Sequence, residues 1–170
     1  KSFDKIILPK KNQNILLDPT KKSGKWQDEF YQETNNLSNF RYKNLNEVIF
    51  KSNKLSRYKT SKKALFDGNN FITTDIKGNI IVYSISKKKI TLKYNFYKSK
   101  FKKIKKNIHI LIENNVLYAS DNLGYLYALN YKDNKLIWAK NFKIPFRSNI
   151  KIFNNNIVTA DQDNTLYFLN

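Results

Sequence analysis

From about residue 45 onward, apolar residues come in short runs that alternate with polar ones and stop at Asn, Asp or Gly. Examples are Phe71-Ile72-Thr73-Thr74, Ile80-Ile81-Val82-Tyr83, Ile108-His109-Ile110-Leu111-Ile112 and Leu126-Tyr127-Ala128-Leu129. Runs this short, rich in β-branched and aromatic residues and bounded by turn formers, predict strands. No segment carries a long helical period. Residues 1–44 read differently. They contain Pro9, Pro19, Gly24 and the polar tract Lys10-Lys11-Asn12-Gln13-Asn14, with short apolar runs only at Ile6-Ile7-Leu8 and Ile15-Leu16-Leu17. The pattern predicts an extended N-terminal arm over 1–44, with one or two short strands or a helical turn around residues 26–32. A folded region over 45–170 follows.

Comparing the chain with itself is more informative than any single run. Residues 78–96 (GNIIVYSISKKKITLKYNF) align without a gap on residues 124–142 (GYLYALNYKDNKLIWAKNF) at an offset of 46. Gly78/Gly124, Asn95/Asn141 and Phe96/Phe142 are identical pairs. Asn114-Asn115-Val116-Leu117-Tyr118-Ala119 returns as Asn155-Asn156-Ile157-Val158-Thr159-Ala160, and Asn69-Asn70-Phe71-Ile72-Thr73-Thr74 is an earlier copy. Leu126-Tyr127-Ala128-Leu129-Asn130 returns as Leu166-Tyr167-Phe168-Leu169-Asn170, at an offset of 40. Glu47-Val48-Ile49-Phe50 resembles Lys135-Leu136-Ile137-Trp138 in the same way. A period of 40–46 residues with about four short strands per unit defines a β-propeller blade. The predicted class is all-β: a partial β-propeller of four-stranded antiparallel blades, about two and a half to three of them. The Asn-Asn pairs fall where hairpins need positive φ, which Asn tolerates better than most residues.

Composition narrows the chemistry. The 170 residues carry no Cys and one His, so disulfides, thiol chemistry and most zinc, haem or iron–sulfur sites have no ligands here. The net charge is +19, but only Arg41, Arg57 and Arg147 among the 32 basic residues are Arg. Arg is the better bidentate reader of phosphate and bases. With 25 Asn, 19 Ile, 4 Gly, 3 Pro and 5 Ala, the charge fits the codon bias of an AT-rich genome better than selection for nucleic acid. The densest basic run is Lys98-Ser99-Lys100-Phe101-Lys102-Lys103-Ile104-Lys105-Lys106. It falls in the link between two blades and reads first as a solvated loop, second as a tether to an anionic membrane surface or partner. Nucleic acid ranks third. No Gly-x-Ser-x-Gly, P-loop or dinucleotide fingerprint occurs. The carboxylates Asp161 and Asp163 sit in a repeat turn and read as turn caps. His109 lies in an apolar strand and reads as structural. No catalytic, cofactor or metal residue is predicted.

The segment from Ala128 to Trp138 resembles the repeat of pyrroloquinoline-quinone-type propellers, Ala-x-Asp-x-x-Thr-Gly-x-x-x-Trp, with Ala128 and Trp138 matching. That resemblance implies that Trp138, and its counterparts Phe50 and Leu92, pack between blades. Within the superfamily the chain is most similar to the propeller lipoproteins of the outer-membrane β-barrel assembly complex, the BamB-like family. Asp161-Gln162-Asp163-Asn164-Thr165-Leu166-Tyr167-Phe168-Leu169 resembles a blade segment of that family. Lys25-Trp26-Gln27 resembles its Trp-Pro-Gln lead-in, and Ile144-Pro145-Phe146-Arg147-Ser148 resembles its Leu-x-Leu-Arg-Gly interblade loop.

The resemblance implies a non-catalytic scaffold, periplasmic and associated with the outer membrane. Ile144, Phe146 and Arg147 would then bind the barrel-inserting subunit. Unfolded outer-membrane proteins and an anionic membrane surface are further expected partners. The family ring has about eight blades, so the chain is expected to be the N-terminal portion of a longer protein. The lipid-bearing Cys of the family has no counterpart in these residues. A fragment of a quinoprotein dehydrogenase, or a basic membrane- or nucleic-acid-binding module, are the alternatives. The loop expectation requires an exposed Arg147 and a Phe146 accessible on the same face.

Overall fold

The structure is a computed structural model and describes residues 16, 19–20, 24–29, 48 and 50–170. The expected boundary at 44/45 lies outside these residues, as does most of the arm. Among the described residues, three antiparallel sheets follow one another along the chain. The first contains β1 (Leu65–Phe66), β2 (Asn70–Thr74), β3 (Asn79–Ser84) and β4 (Lys89–Asn95), in that spatial order. The second contains β5 (Ile108–Glu113), β6 (Val116–Asp121), β7 (Tyr125–Asn130) and β8 (Lys135–Asn141), also in order. The third contains β9 (Lys151–Phe153), β10 (Asn156–Ala160) and β11 (Leu166–Leu169). Each sheet is a meander, as the repeat predicts: an all-β partial propeller with blades of four, four and three strands.

The hairpins follow from the turn residues. Asn114 and Asn115 between β5 and β6, and Asn154 and Asn155 between β9 and β10, all adopt positive φ, from 48° to 66°. That conformation suits the right-handed twist of two-residue hairpins. The two complete blades also share a defect. The β3–β4 register slips between Val82 and Tyr83, and the β7–β8 register slips at the equivalent Ala128 and Leu129.

Packing is face to face. Strand alternation sends Ile72, Ile80, Val82 and Leu92 of the first sheet toward the second. There they join Ile108, Ile110, Ile112, Leu117, Ala119, Tyr127 and Leu129 in one core. The opposite face of the second sheet sends Leu111 and Leu126 into a second core with Phe146, Ile150, Ile152 and Ile157. Each fully buried aliphatic side chain is worth about 1.5–3 kcal/mol, so these two interfaces dominate the fold. On the outer face of the first sheet, Phe50 lies against Tyr83 with ring centroids 5.6 Å apart, and Ser56 donates its hydroxyl to Asp75 at 2.7 Å. The outer face of the third sheet stays open: Phe153, Leu166 and Phe168 are 61–68% exposed.

The three residues expected to pack between blades separate. Leu92, 8% exposed, lies in the first interblade core. Trp138, at the same repeat position, keeps 36% of its surface and leans on Tyr118 at 6.5 Å. It sits on β8, an edge strand exposed along its whole length. Trp138 is therefore a rim residue in this structure rather than a buried girdle. Phe50 lies outside the strands of the described residues and packs on Tyr83 of the first blade.

Residues 24–29 run across the leading edges of all three sheets. Trp26 forms a two-way backbone bridge with Phe66 next to β2. The Gln27 carbonyl accepts from Ile112 N of β5 at 2.8 Å. Asp28 pairs with Lys151 of β9 at 2.7 Å. Glu29 meets Lys63 at 2.5 Å and lies 3.5 Å from His109 Nδ1. No helical turn forms at Trp26, and residues 30–32 lie outside the described set. His109 lies in β5 and faces Glu29.

Two substitutions rank the interfaces. Leu92→Ala is expected to cost about 2–4 kcal/mol, as for a buried leucine, and Trp138→Ala clearly less, measured by urea unfolding. The reverse ranking would contradict the packing described. Burial tends to raise the Glu29 pKa, but its contacts with His109 and Lys63 outweigh this and hold it below the usual carboxylate range. Burial opposes the same net lowering at Asp67, which accepts bonds from Asn70, Asn69 and the Tyr131 hydroxyl. Both groups bind fewer protons folded than unfolded, so stability rises with pH through this window. The contribution is complete above the ordinary carboxylate values and is lost as pH falls through the depressed ones. Glu29→Gln is expected to flatten the acid side of a melting-temperature profile. An unchanged acid slope would count against the strap.

Candidate functional site

The link between the second and third blades starts at Asn141, whose side chain accepts from Lys143 N at 2.6 Å. Lys143 itself sits at φ 68°. Phe142 N donates to Gly124 O at 2.8 Å, and Phe146 N donates to Asp121 O at 3.0 Å. These two bonds tie the link to the β6–β7 turn of the second blade. On the other side, Arg147 N donates to Ala160 O at 3.1 Å and Gln162 N to Pro145 O at 2.8 Å. Ser148 Oγ accepts from Ala160 N at 2.6 Å. The link is thus sewn to the β10–β11 turn as well. Aromatic packing closes it: Phe142, Phe146 and Tyr167 lie 4.8–5.8 Å apart, ring to ring.

The two turns that hold the link are built on one repeated device. Asp121 Oδ1 accepts from Leu123 N and Tyr125 N at 2.8 and 2.9 Å. Asp161 Oδ1 accepts from Asp163 N and Thr165 N, both at 2.9 Å. Asp75 does the same with Lys77 N and Asn79 N in the first blade. The second carboxylate oxygen ties each turn to its surroundings. Its partners are Ser56 for Asp75, the Tyr97 hydroxyl at 2.5 Å for Asp121 and the Tyr167 hydroxyl at 2.8 Å for Asp161. The fourth residue of each turn takes positive φ: Gly78 at 88°, Gly124 at 80° and Asn164 at 65°. Turn capping is therefore the structural role of Asp161, as its position in the repeat predicts. Asp75 and Asp121 were missed by reading apolar runs alone. The signal that finds them is Asp-x-x-Gly at 75–78 and 121–124, answered by Asp-x-x-Asn at 161–164.

Electrostatics separate the copies. Burial raises the Asp121 pKa despite bonds from Tyr97, Tyr125 and Leu123. The same environment pushes the Tyr97 phenol far above its ordinary value. At Asp161 burial also acts upward, but the bonds from Thr165, Tyr167 and Asp163 win and the pKa falls. These carboxylates are occupied by turn amides and hydroxyls, which leaves them as structural anchors.

Of the three residues predicted to meet a partner, Phe146 is corrected. It is 3% exposed, belongs to the second interblade core and forms a β-bridge with Asp161. Thr60 bridges Asp75 in the same way ahead of the first blade, so this position leads the first and third blades into their sheets. An apolar side chain there turns inward because the second core offers it Phe142 and Tyr167. Ile144 is half-buried and Arg147 exposed. The link thus offers one exposed guanidinium on a backbone held from both sides. Gly124 makes the close approach feasible. A Cβ there would lie 2.8 Å from Ile144 O, at a φ that L side chains rarely adopt. Gly124→Ala is expected to destabilise the protein by about 2 kcal/mol or more in denaturant melts. Wild-type stability would show that the link does not sit on this turn.

Fold and link define a β-propeller-type stack of blades joined by interblade links that are hydrogen-bonded to the adjoining turns. No family model matches the chain, and no curated protein matches it. Among solved structures it is similar to the computationally designed proteins Ika8 and Ika4. Each is 11% identical, with TM-scores of 0.52 and 0.51 over 62% and 63% of this chain. At that identity the likeness supports the fold alone. It is also similar to BamB from Moraxella catarrhalis, with 14% identity and a TM-score of 0.46 over 58% of this chain. The matches span 28% of the BamB chain, 31% of Ika8 and 64% of Ika4.

Proposed function

We propose that the chain is part of a non-catalytic propeller scaffold that assists outer-membrane β-barrel assembly by binding the barrel-inserting subunit. It acts in the periplasm, beside the outer membrane. The observation that carries this reading is the exposed Arg147 on a link pinned to the turns of two blades, within a segment that resembles the partner loop of the BamB-like family. Because the backbone beneath it is already held, binding orders only the Arg147 side chain, whose guanidinium forms charge-assisted, forked bonds to a carboxylate. Ile144 supplies the apolar edge beside it, and Phe146 fixes the link from below. The exposed edge strand β8 offers unpaired backbone groups to an incoming strand of an unfolded barrel protein.

Arg147→Glu is expected to weaken binding to the barrel-inserting subunit by about 2 kcal/mol, roughly 30-fold, with unchanged thermal stability. Phe146→Ala should instead lower stability by about 3–5 kcal/mol. Titration by calorimetry or a pull-down reads the first effect, and urea unfolding the second. Binding by Arg147→Glu that equals wild type would remove the partner role of this link.

A further inference from the structure

The basic run at 98–106 does not spread evenly over solvent. Lys98, Lys102 and Lys106 recur every four residues and line one groove of about 560 Å³. Arg57, Lys77 and Lys93, from three other segments, line the same groove. Six cations therefore border one open groove, and no Asp or Glu lines it. Sequence distance hides this convergence, because Arg57 and Lys77 lie in the segment ahead of the first blade and in its β2–β3 turn.

The groove holds its charges in place. Lys106 is buried, and its ammonium donates to the carbonyls of Phe101 and Ile104. Lys77 Nζ donates to Lys102 O at 3.3 Å. Arg57 and Lys77 both lie over the Tyr58 ring, at 4.9 and 5.7 Å, and Lys106 lies over Tyr97 at 5.0 Å. Asp121 is the carboxylate whose charge reaches Lys106, and it already accepts the Tyr97 hydroxyl. Burial and the neighbouring Lys77 both make the Lys106 charge costly. Like charges fixed around a concave surface repel one another, and a multiply charged anion relieves that repulsion. Beside the groove, Ile104 is an exposed apolar residue on the same link.

We propose that this groove is a binding site for a multiply charged phosphate group, with Lys93, Lys98 and Lys102 as its exposed contacts and Lys77 and Lys106 as fixed charges behind them. The phosphate comes from an anionic lipid headgroup or from a soluble phosphoanhydride, and the chemistry recognised is the same. The site lies on the first blade and its outgoing link, shares no lining residue with the Arg147 link, and does not depend on the partner reading.

The test compares two triple variants of equal charge. Lys93→Gln/Lys98→Gln/Lys102→Gln removes the exposed groove contacts. Lys132→Gln/Lys135→Gln/Lys140→Gln removes three exposed lysines of the second blade. Both should melt like wild type. Binding is measured to tripolyphosphate by calorimetry, and to phosphatidylcholine vesicles with and without phosphatidic acid, whose phosphomonoester headgroup is multiply charged, by sedimentation, at two salt concentrations. The expected result is a loss of at least tenfold in affinity for the groove variant and less than twofold for the control, with weaker binding at higher salt. Groove-dependent binding to tripolyphosphate alone identifies a soluble phosphate. Groove-dependent binding to the anionic vesicles alone identifies a headgroup. Equal losses in the two variants would mean diffuse charge attraction and overturn the site, as would no binding to either probe.

Discussion

A meandering sheet of three or four short strands has two faces, and its own strands can cover neither. Everything else in this structure follows from how that constraint is met. Ile72, Ile80 and Val82 turn one way and Ile81 and Tyr83 the other, and both sets are buried. Burial on both faces requires a neighbour on each side. For the second blade those neighbours are the first and third blades. For the first blade, the segment around Phe50 and Ser56 approaches the outer face. On the outer face of the third blade, Phe153, Leu166 and Phe168 stand open to solvent. Apolar sheet faces of this kind are where repeat architectures continue or self-associate.

Stacking alone would leave the blades free to slide. Two devices set their position. The first is the aspartate turn, repeated at Asp75, Asp121 and Asp161, which satisfies the amides of a tight turn and then reaches outward with its second oxygen. For Asp121 that oxygen holds Tyr97 of the preceding link, so a turn of one blade is bonded to the chain arriving from another. The second is an aromatic pair at each seam: Phe96 stacks on Tyr127 at 4.7 Å, and Phe142 meets Tyr167 at 4.8 Å. The residues from Gly24 to Glu29 add backbone and ionic ties across the leading strands. A partly exposed ion pair contributes only about 0–1 kcal/mol, so the strap orients the blades more than it holds them together.

The fold was legible because its repeat is written in residues with strong local rules. Asn-Asn pairs at positive φ mark hairpins, and the identical Gly78/Gly124 and Phe96/Phe142 mark the same blade positions. The aspartate turns were less visible, because single polar residues carry little weight beside apolar runs. The site was harder still. Phe146 sits in a link of mixed polarity, where nothing local distinguishes an exposed aromatic from one that turns into a core formed by strands on either side of it. Trp138 matches a repeat motif, yet its neighbours on β8 are all exposed, and a motif does not report what covers it. The six cations of the groove come from four separate segments, and only the folded chain brings Arg57 to Lys98.

Function rests on the same geometry. An interblade link can present a guanidinium on a held backbone only if the blades on both sides are docked, and the basic groove exists only if the first blade and its outgoing link are folded together. The most direct measurement of that docking is a set of nuclear Overhauser contacts between aromatic rings in a selectively labelled sample. Blades stacked as described give cross-peaks between Phe96 and Tyr127 and between Phe142 and Tyr167, alongside the strand-to-strand contacts within each sheet. Intact contacts within the sheets with neither aromatic cross-peak would show blades that fold but do not stack, and would contradict the architecture on which both sites depend.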